Sequence, residues 1–139
     1  MSDRLYVDTS AYLCLLIGED GARTMADRFA AARLYSSVLL VFEARRNLVR
    51  LVHGGQLPTA KLHDYLDRVQ LDAERFQLKD LTLDLCFDPT LPAVTTPRSL
   101  DLAHLRTALW FHRREPLAGY VTLDHGQQQA ARELGLPIA

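Results

Sequence analysis

Residues 5–21, LYVDTSAYLCLLIGEDG, contain a predicted strand, an acidic residue and a predicted helix in the order that indicates the fold. A short β-prone run at 5–7 ends on Asp8, and Thr9 and Ser10 follow as candidate N-cap residues of a helix that runs to residue 17. An acidic residue between two apolar segments is costly to bury unless something pairs with it. Asp8 is therefore either a helix cap alone or a residue that holds a ligand.

The composition is that of an ordinary globular protein, with 139 residues, of which 48% are hydrophobic and 24% charged. Such a balance argues against disorder, and the length is sufficient for a core. We therefore expect one domain over residues 1–139. The net charge of -1 argues against bulk attraction to nucleic acid, although 16 Lys and Arg leave room for local basic patches.

The sequence predicts neither secretion nor a membrane segment. The longest apolar run, 11–17, is far shorter than the roughly 20 residues of a membrane span, and MSDRL at the start lacks the layout of a signal peptide. Cys14 and Cys86 lie in apolar surroundings without metal-ligand spacing, so we interpret both as reduced core residues. We expect a cytoplasmic protein.

Strands and helices are predicted to alternate along the chain. After the first helix, the spacing of apolar residues predicts a helix at 22–33, and a strand at 34–35 follows it. Two more helices are predicted, one at 38–53 and one from 59 onward. The last part of the chain is predicted to form a helix at 100–114 capped by Ser99, a strand at 119–123, a helix at 125–134 and a strand at 137–138. The stretch 76–97 is the least readable, because apolar residues alternate as in a strand over 81–87 and Pro89, Pro92 and Pro97 then interrupt it. This order predicts an α/β fold with a short central parallel sheet flanked by helices.

Four acidic residues are placed so that this fold would bring them together. Asp8 and Asp124 each stand at the end of a strand, whereas Glu43 and Asp101 lie in early turns of helices, and these positions share one edge of a parallel sheet. Each acid alone can be explained as a cap, a turn residue or a partner of the helix dipole. Together they would repel unless a cation bound among them, and carboxylates without a Cys or His cluster favour Mg²⁺ or Mn²⁺.

Four stretches resemble motifs of one protein family: YVDTSA (6–11), SSVLLVFEARR (36–46), PRSLDLAHLRTA (97–108) and GYVTLDHGQQQAARELGL (119–136). The family is that of the PIN-domain ribonucleases, specifically the VapC-type toxins of bacterial toxin–antitoxin pairs. The resemblance runs from residue 5 to about 138. Two features differ from the family's usual pattern, namely the prolines within 85–97 and Arg106 at a position that is often alanine.

The resemblance implies a PIN-like domain with Mg²⁺- or Mn²⁺-dependent endoribonuclease activity, inhibited by a VapB-like antitoxin. The family's catalytic and metal-binding positions fall on Asp8, Glu43, Asp101 and Asp124, and Thr9 corresponds to a hydroxyl residue that supports them. We also expect a homodimer. Whether one ion or two would bind is open at this point.

The arginines around these acids have two explanations. They are candidate contacts to the RNA backbone, or they form a solvated helix surface with Glu43 paired to the arginine three residues on. The residues concerned are Arg45, Arg46, Arg98 and Arg106.

Three alternative functions can be compared with the sequence. A PIN ribonuclease could act in RNA processing outside a toxin–antitoxin pair, and a PIN-like domain could bind without catalysis. A phosphatase of the haloacid-dehalogenase type also begins with a strand that ends in Asp, but it needs a second Asp at the position that Ser10 occupies here.

Overall fold

A computed structural model describes residues 2–96 and 98–139. In this part of the chain the strands are β1 (Arg4–Val7), β2 (Arg33–Ser37), β3 (Phe76–Lys79) and β4 (Gly119–Val121). The helices are α1 (Thr9–Ile17), α2 (Ala22–Ala30), α3 (Leu39–His53), α4 (Leu62–Ala73), α5 (Leu83–Phe87), α6 (Ser99–Arg114) and α7 (His125–Glu133), and a 3₁₀ turn at Thr59–Lys61 precedes α4.

The strands form one sheet in the order β3-β2-β1-β4, and every neighbouring pair is parallel. The predicted α/β class with a parallel sheet is therefore confirmed. β1 pairs with β2 on one side and β4 on the other, so that Tyr6 has Tyr35 and Tyr120 as register partners. Residues 5–21 thus supply a central strand and the first helix.

Each face of the sheet is covered by its own hydrophobic core. Successive residues of a strand point to opposite faces, and Leu5 and Val7 are buried with side chains of α1, α3 and α4. Tyr6 is buried on the other face with side chains of α6 and α7. β1 is consequently buried along its whole length, as is typical of parallel sheets with helices on both sides.

The segment after α4 differs from the prediction. The apolar alternation at 81–87 predicts a strand, but α5 occupies most of this stretch and the strand, β3, comes earlier. Thr82 is the N-cap of α5, and its hydroxyl accepts the N–H of Leu85 at 3.3 Å. Leu83 and Phe87 are 75% and 76% exposed whereas Leu85 is buried. The alternation therefore does not mark one buried strand face.

Two predicted element ends are also wrong. Ser99 is the first residue of α6 and not its cap. The N-cap is Arg98, whose side chain forms no capping hydrogen bond. The strand predicted at 137–138 is reduced to one bridge between Tyr120 and Ile138. Pro137 lacks an N–H and therefore cannot extend that pairing as a donor.

Three further predictions concern the cysteines, one proline and membrane spans. Cys14 is buried as predicted, but Cys86 is exposed because it lies on the solvent side of the short helix α5. Pro97, predicted to help interrupt the chain, lies outside the described residues. No helix in the described part of the chain combines the length and apolar character needed to cross a bilayer.

Arg106 of α6 holds the segment around α5 against the core. Its Nε and Nη2 donate to the carbonyl oxygen of Leu85 at 3.0 and 2.8 Å, and Nη2 also donates to that of Asp88 at 2.9 Å. These carbonyls lie at the end of a short helix, where they lack partners within the helix. The guanidinium therefore takes the place of a C-terminal cap.

We expect Arg106→Met to lower the free energy of unfolding by about 2 kcal/mol, because it keeps the aliphatic stem but leaves these carbonyls without a charged donor. Urea unfolding measures the change. Arg46→Met, on the exposed side of α3, is the control and should alter stability by less than about 0.5 kcal/mol. An Arg106→Met protein as stable as the wild type would show that the contact does not anchor α5.

Candidate active site

The carboxyl ends of β1 and β4 and the N-terminal parts of α3 and α6 surround one pocket. Asp8 follows β1 directly and Asp124 follows β4 after a short loop, while Glu43 and Asp101 come from the two helices. The pocket has a volume of about 160 Å³. Its lining residues are Asp8, Thr9, Ser10, Leu13, Glu43, Asn47, Arg98, Asp101, His104, Asp124 and Gln127. The structure therefore brings together all four acids that the sequence singles out.

Asp8 is buried and accepts hydrogen bonds from neutral donors. Its Oδ1 accepts the N–H of Ala11 at 3.0 Å, which caps α1, and the hydroxyl of Ser10 at 2.7 Å. Its Oδ2 accepts the hydroxyl of Thr122, just beyond β4. Burial raises the pKa of Asp8, and these hydrogen bonds together with the charge of His104 offset only part of that effect. No Lys or Arg of the described residues pairs with Asp8.

Glu43 is held by Thr9 and His104. The Thr9 hydroxyl donates to Oε1 at 2.9 Å, and Nε2 of His104 lies 2.6 Å from the same oxygen. Burial acts to raise the pKa of Glu43, but the hydrogen bond and charge of His104, assisted by Thr9, outweigh it and the pKa lies below its usual range. Glu43 is therefore ionised at neutral pH. Its Oε2 has no hydrogen-bond partner among the described residues.

Asp101 and Asp124 share two partners, Arg98 and Gln127. Nε of Arg98 lies 3.5 Å from Oδ2 of Asp101, and its Nη2 lies 4.0 Å from Oδ2 of Asp124. The Gln127 side chain donates to Oδ1 of Asp101 at 3.2 Å, and its backbone N–H donates to Oδ1 of Asp124 at 2.9 Å, which caps α7. Because the Arg98 side chain is 72% exposed, its pairing with these acids contributes little stability.

The pocket lining carries more negative than positive charge. Four carboxylates face the guanidinium of Arg98 and the imidazole of His104. Like charges held close together in a partly buried site repel, so a bound cation would stabilise the arrangement. The donors are carboxylate and hydroxyl oxygens, which are the ligands that Mg²⁺ and Mn²⁺ prefer.

The donor chemistry fits such an ion, but the side chains are not arranged around one. In the part of the chain that the structure describes, no group of three or more His, Cys, Asp or Glu residues could hold a metal as placed. Asp8 directs both oxygens to neutral donors, and Arg98 contacts both Asp101 and Asp124. Coordination would require side-chain rotation and withdrawal of Arg98, whose exposure permits that movement.

The other arginines predicted to contact RNA do not line the pocket. Arg45 and Arg46 are exposed on α3, and among the described residues Arg46 forms no ion pair with Glu43. Arg106 is occupied by the carbonyl groups at the end of α5. Of the arginines that the sequence proposes, Arg98 is thus the one that the structure places at the acids.

Two polar residues at the site, Thr122 and Gln127, are not singled out by the sequence analysis. Asp124 and Gln127 have the spacing of a capping box, in which the glutamine side chain would return to the cap N–H. Here Thr122 accepts that N–H at 3.1 Å and Gln127 turns inward to Asp101. In the sequence only their positions could have pointed to them, since Thr122 lies two residues before Asp124 and Gln127 lies three residues after it.

Comparison with protein-family models finds none that matches the chain, and comparison with curated proteins finds no match either. The geometry of this pocket and the motifs in the sequence are therefore the features that bear on function.

The burial of Asp8 predicts the pH dependence of stability in the metal-free protein. Its pKa is higher in the folded than in the unfolded chain, so the stability linked to Asp8 is fully present below about pH 4 and is lost as the pH rises through the raised pKa. We expect the wild type to gain stability relative to Asp8→Asn as the pH falls from about 7.5 to about 4. Urea unfolding in EDTA at several pH values measures the difference.

Glu43, whose pKa shift has the opposite sign, is present in both proteins and largely cancels from this comparison. A stability difference that stays constant over the pH range, or that favours Asp8→Asn increasingly at low pH, would contradict the inferred environment of Asp8.

Proposed function

We propose that the chain is a Mg²⁺- or Mn²⁺-dependent endoribonuclease, the toxin of a toxin–antitoxin pair that acts on cytoplasmic RNA and is inhibited by a VapB-like antitoxin. One observation supports the proposal most directly. Asp8 is buried in a pocket with three further acids, and the hydrogen-bond donors that contact Asp8 itself are all neutral. Such a set is unfavourable unless a cation is bound. The motifs that resemble VapC-type PIN ribonucleases supply the reaction.

The four acids would have distinct roles. Asp8, Glu43 and Asp101 would hold the ion directly or through water, and Asp124, which is more exposed at the rim, would complete the set or orient the attacking water. A bound ion of this kind lowers the pKa of water and offsets charge on the phosphoryl oxygens.

The residues behind the acids would keep them in position. Thr9 and His104 hold Glu43 in its ionised form through Oε1 and leave Oε2 for a ligand. Ser10 and Thr122 hold the two oxygens of Asp8.

Arg98 is suited to contact the RNA once a cation is bound. The cation would neutralise Asp101 and Asp124, so the guanidinium would lose its present partners and could form charge-assisted hydrogen bonds with a phosphate. Arg45 and Arg46 are exposed on the helix that carries Glu43 and could contact the RNA backbone further along.

The alternatives fit the site less well. In a haloacid-dehalogenase phosphatase the residue two after the first Asp acts as an acid, but here Ser10 donates to Asp8 and accepts the N–H of Leu123 at 3.0 Å. A non-catalytic binding domain would have no need to keep four acids in one pocket. A PIN ribonuclease of RNA processing would use the same site, and only its cellular role distinguishes it.

We expect Asp8→Asn and Glu43→Gln to reduce Mn²⁺-dependent RNA cleavage at least about 100-fold, since even partners one step removed from a metal contribute 10–100-fold. The amides keep the shape and remove the charge. Asp84→Asn, an exposed acid in the first turn of α5, is the matched control and should cleave like the wild type. Mn²⁺ should raise the melting temperature of wild type and control, since a ligand at about 100 times its Kd contributes about 2.7 kcal/mol.

Cleavage that persists in EDTA, or full activity of Asp8→Asn, would overturn the metal-dependent mechanism. Mn²⁺ binding without cleavage would favour the non-catalytic alternative. Cleavage without growth arrest when the chain is expressed alone would favour RNA processing over a toxin.

A second pocket, of about 350 Å³, offers a place for the proposed antitoxin. It lies between α1, α2 and α4, with an apolar floor that includes Leu15, Leu16 and Phe29 and with Arg68 and Arg75 among its polar residues. An amphipathic helix could place its apolar side chains on this floor and acidic side chains beside the arginines. We propose that the antitoxin tail binds here.

We expect Leu15→Glu to weaken antitoxin binding by about 2 kcal/mol, roughly 30-fold in Kd, because it places a charge on the apolar floor. RNA cleavage should change less than about twofold. The candidate antitoxin is obtained by co-purification with the chain from its native host; its affinity is measured by calorimetry, and folding is checked by circular dichroism. Leu71→Glu, exposed on α4 and outside the pocket lining, is the control. Equal losses of binding and cleavage in Leu15→Glu would indicate core packing instead.

An exposed apolar surface on α5 and α6 supports the expected homodimer. Leu83, Phe87 and Leu100 are exposed there, and an apolar hollow of about 270 Å³ lies between the two helices. Light scattering on the purified wild-type chain without antitoxin measures its mass, and a monomer at micromolar concentration would contradict a homodimer.

A further inference from the structure

Two buried tyrosines lie side by side beneath the acidic pocket. Tyr6 of β1 and Tyr120 of β4 are register partners. Their rings are stacked, with centroids 5.3 Å apart and planes at 5°, and both side chains are fully buried. Two phenylalanines would form the same stack, so packing alone does not account for the two hydroxyl groups.

Each hydroxyl contacts a polar side chain that in turn contacts one of the acids. The Tyr6 hydroxyl lies 2.8 Å from Nδ1 of His104, whose Nε2 lies 2.6 Å from Oε1 of Glu43. The Tyr120 hydroxyl donates to Oε1 of Gln127 at 3.1 Å, and Nε2 of Gln127 donates to Asp101 at 3.2 Å. The stacked pair therefore stands at the start of two short hydrogen-bonded chains that end on different carboxylates.

The protons in the first chain can be assigned from the acceptors. Burial raises the pKa of Tyr6 well above its ordinary value, so the phenol keeps its proton. Glu43 is ionised and can only accept, so the proton between it and His104 belongs to Nε2. Nδ1 lies 2.8 Å from the Tyr6 hydroxyl, so the ring is held at both nitrogens and its orientation is fixed.

The second chain has a fixed direction as well. The amide oxygen of Gln127 accepts from Tyr120 and its nitrogen donates to Asp101. A rotation of this amide by half a turn would place its oxygen toward the carboxylate of Asp101, which can only accept, so the hydrogen bond to Asp101 would be lost. Buried polar groups are unfavourable unless they are satisfied, and here every partner is satisfied by one arrangement.

We propose that Tyr6 with His104, and Tyr120 with Gln127, are two positioning relays that orient Glu43 and Asp101 for cation binding, an inference that rests on the proposed function. His104 and Gln127 contact the acids, and the two tyrosines act on the acids through them. Partners of this type fix the geometry of ligating side chains and contribute to metal affinity.

The test compares Tyr6→Phe and Tyr120→Phe with Tyr35→Phe. Each variant keeps its ring and loses one hydroxyl. Tyr35 is also buried and is the other register partner of Tyr6, but its hydroxyl accepts from Arg4 at 3.0 Å and not from a residue of the pocket. Calorimetric titration with Mn²⁺ alone should give a Kd raised about 3–10-fold in the first two variants and unchanged in the third. At a Mn²⁺ concentration near the wild-type Kd, kcat should fall in the first two while KM for RNA stays the same.

A conservative pair of variants separates positioning from packing at His104. His104→Gln keeps an N–H donor near the Nε2 position and should retain most of the Mn²⁺ affinity. His104→Leu fills a similar volume without a donor and should lose about tenfold or more.

The outcomes distinguish the relays from the function on which they depend. Normal Mn²⁺ affinity in both Tyr6→Phe and Tyr120→Phe, with a wild type that binds Mn²⁺ and cleaves RNA, would overturn the relays alone. An equal loss of affinity in Tyr35→Phe would indicate a general effect of destabilisation and would also overturn them. A wild type that binds no Mn²⁺ would overturn both the relays and the proposed function.

Discussion

The buried carboxylate of Asp8 is the constraint on which the rest of the site depends. It ends β1, caps α1 through the N–H of Ala11 and receives the hydroxyl of Thr122 beyond β4, so one side chain connects a strand, a helix and the neighbouring strand. A neutral residue could supply most of these hydrogen bonds, and the charge itself opposes folding until a cation or a proton compensates it. The fold alone does not account for the charge, whereas the proposed cation would.

Strand alternation extends this constraint into the core. Tyr6 and Asp8 are two residues apart and share one face of β1, and Tyr120 and Thr122 continue the same alternation after β4. The parallel register places Tyr6 beside Tyr120, and one step further Asp8 meets Thr122. The aromatic layer beneath the pocket and the polar layer within it thus result from the same pairing. A slip by one residue would turn Leu5 toward the pocket side and disrupt both layers.

The α/β class and the meeting of the acids can be predicted from the sequence, because Asp8 and Asp124 directly follow short apolar runs and the topology places strand ends together. The side chains that contact the acids cannot be predicted in this way. Gln127 acquires its role only when the direction of α7 relative to Asp101 is known. The alternation at 81–87 also misleads, because the carbonyls at the end of α5 are bound by Arg106, far along the chain, and no local pattern contains that contact.

That contact explains why Arg106 and the proline-interrupted segment, which differ from the family that the motifs resemble, leave the acids in place. Asp101 and His104 are three residues apart on α6 and both line the pocket. Arg106, five residues after Asp101, projects from a different side of the helix and binds the carbonyls of the proline-interrupted segment. One helix of 16 residues therefore presents the site on one side and anchors the irregular segment on another. Because the irregular segment is bound to a different side of this helix, it does not reach the side that carries Asp101.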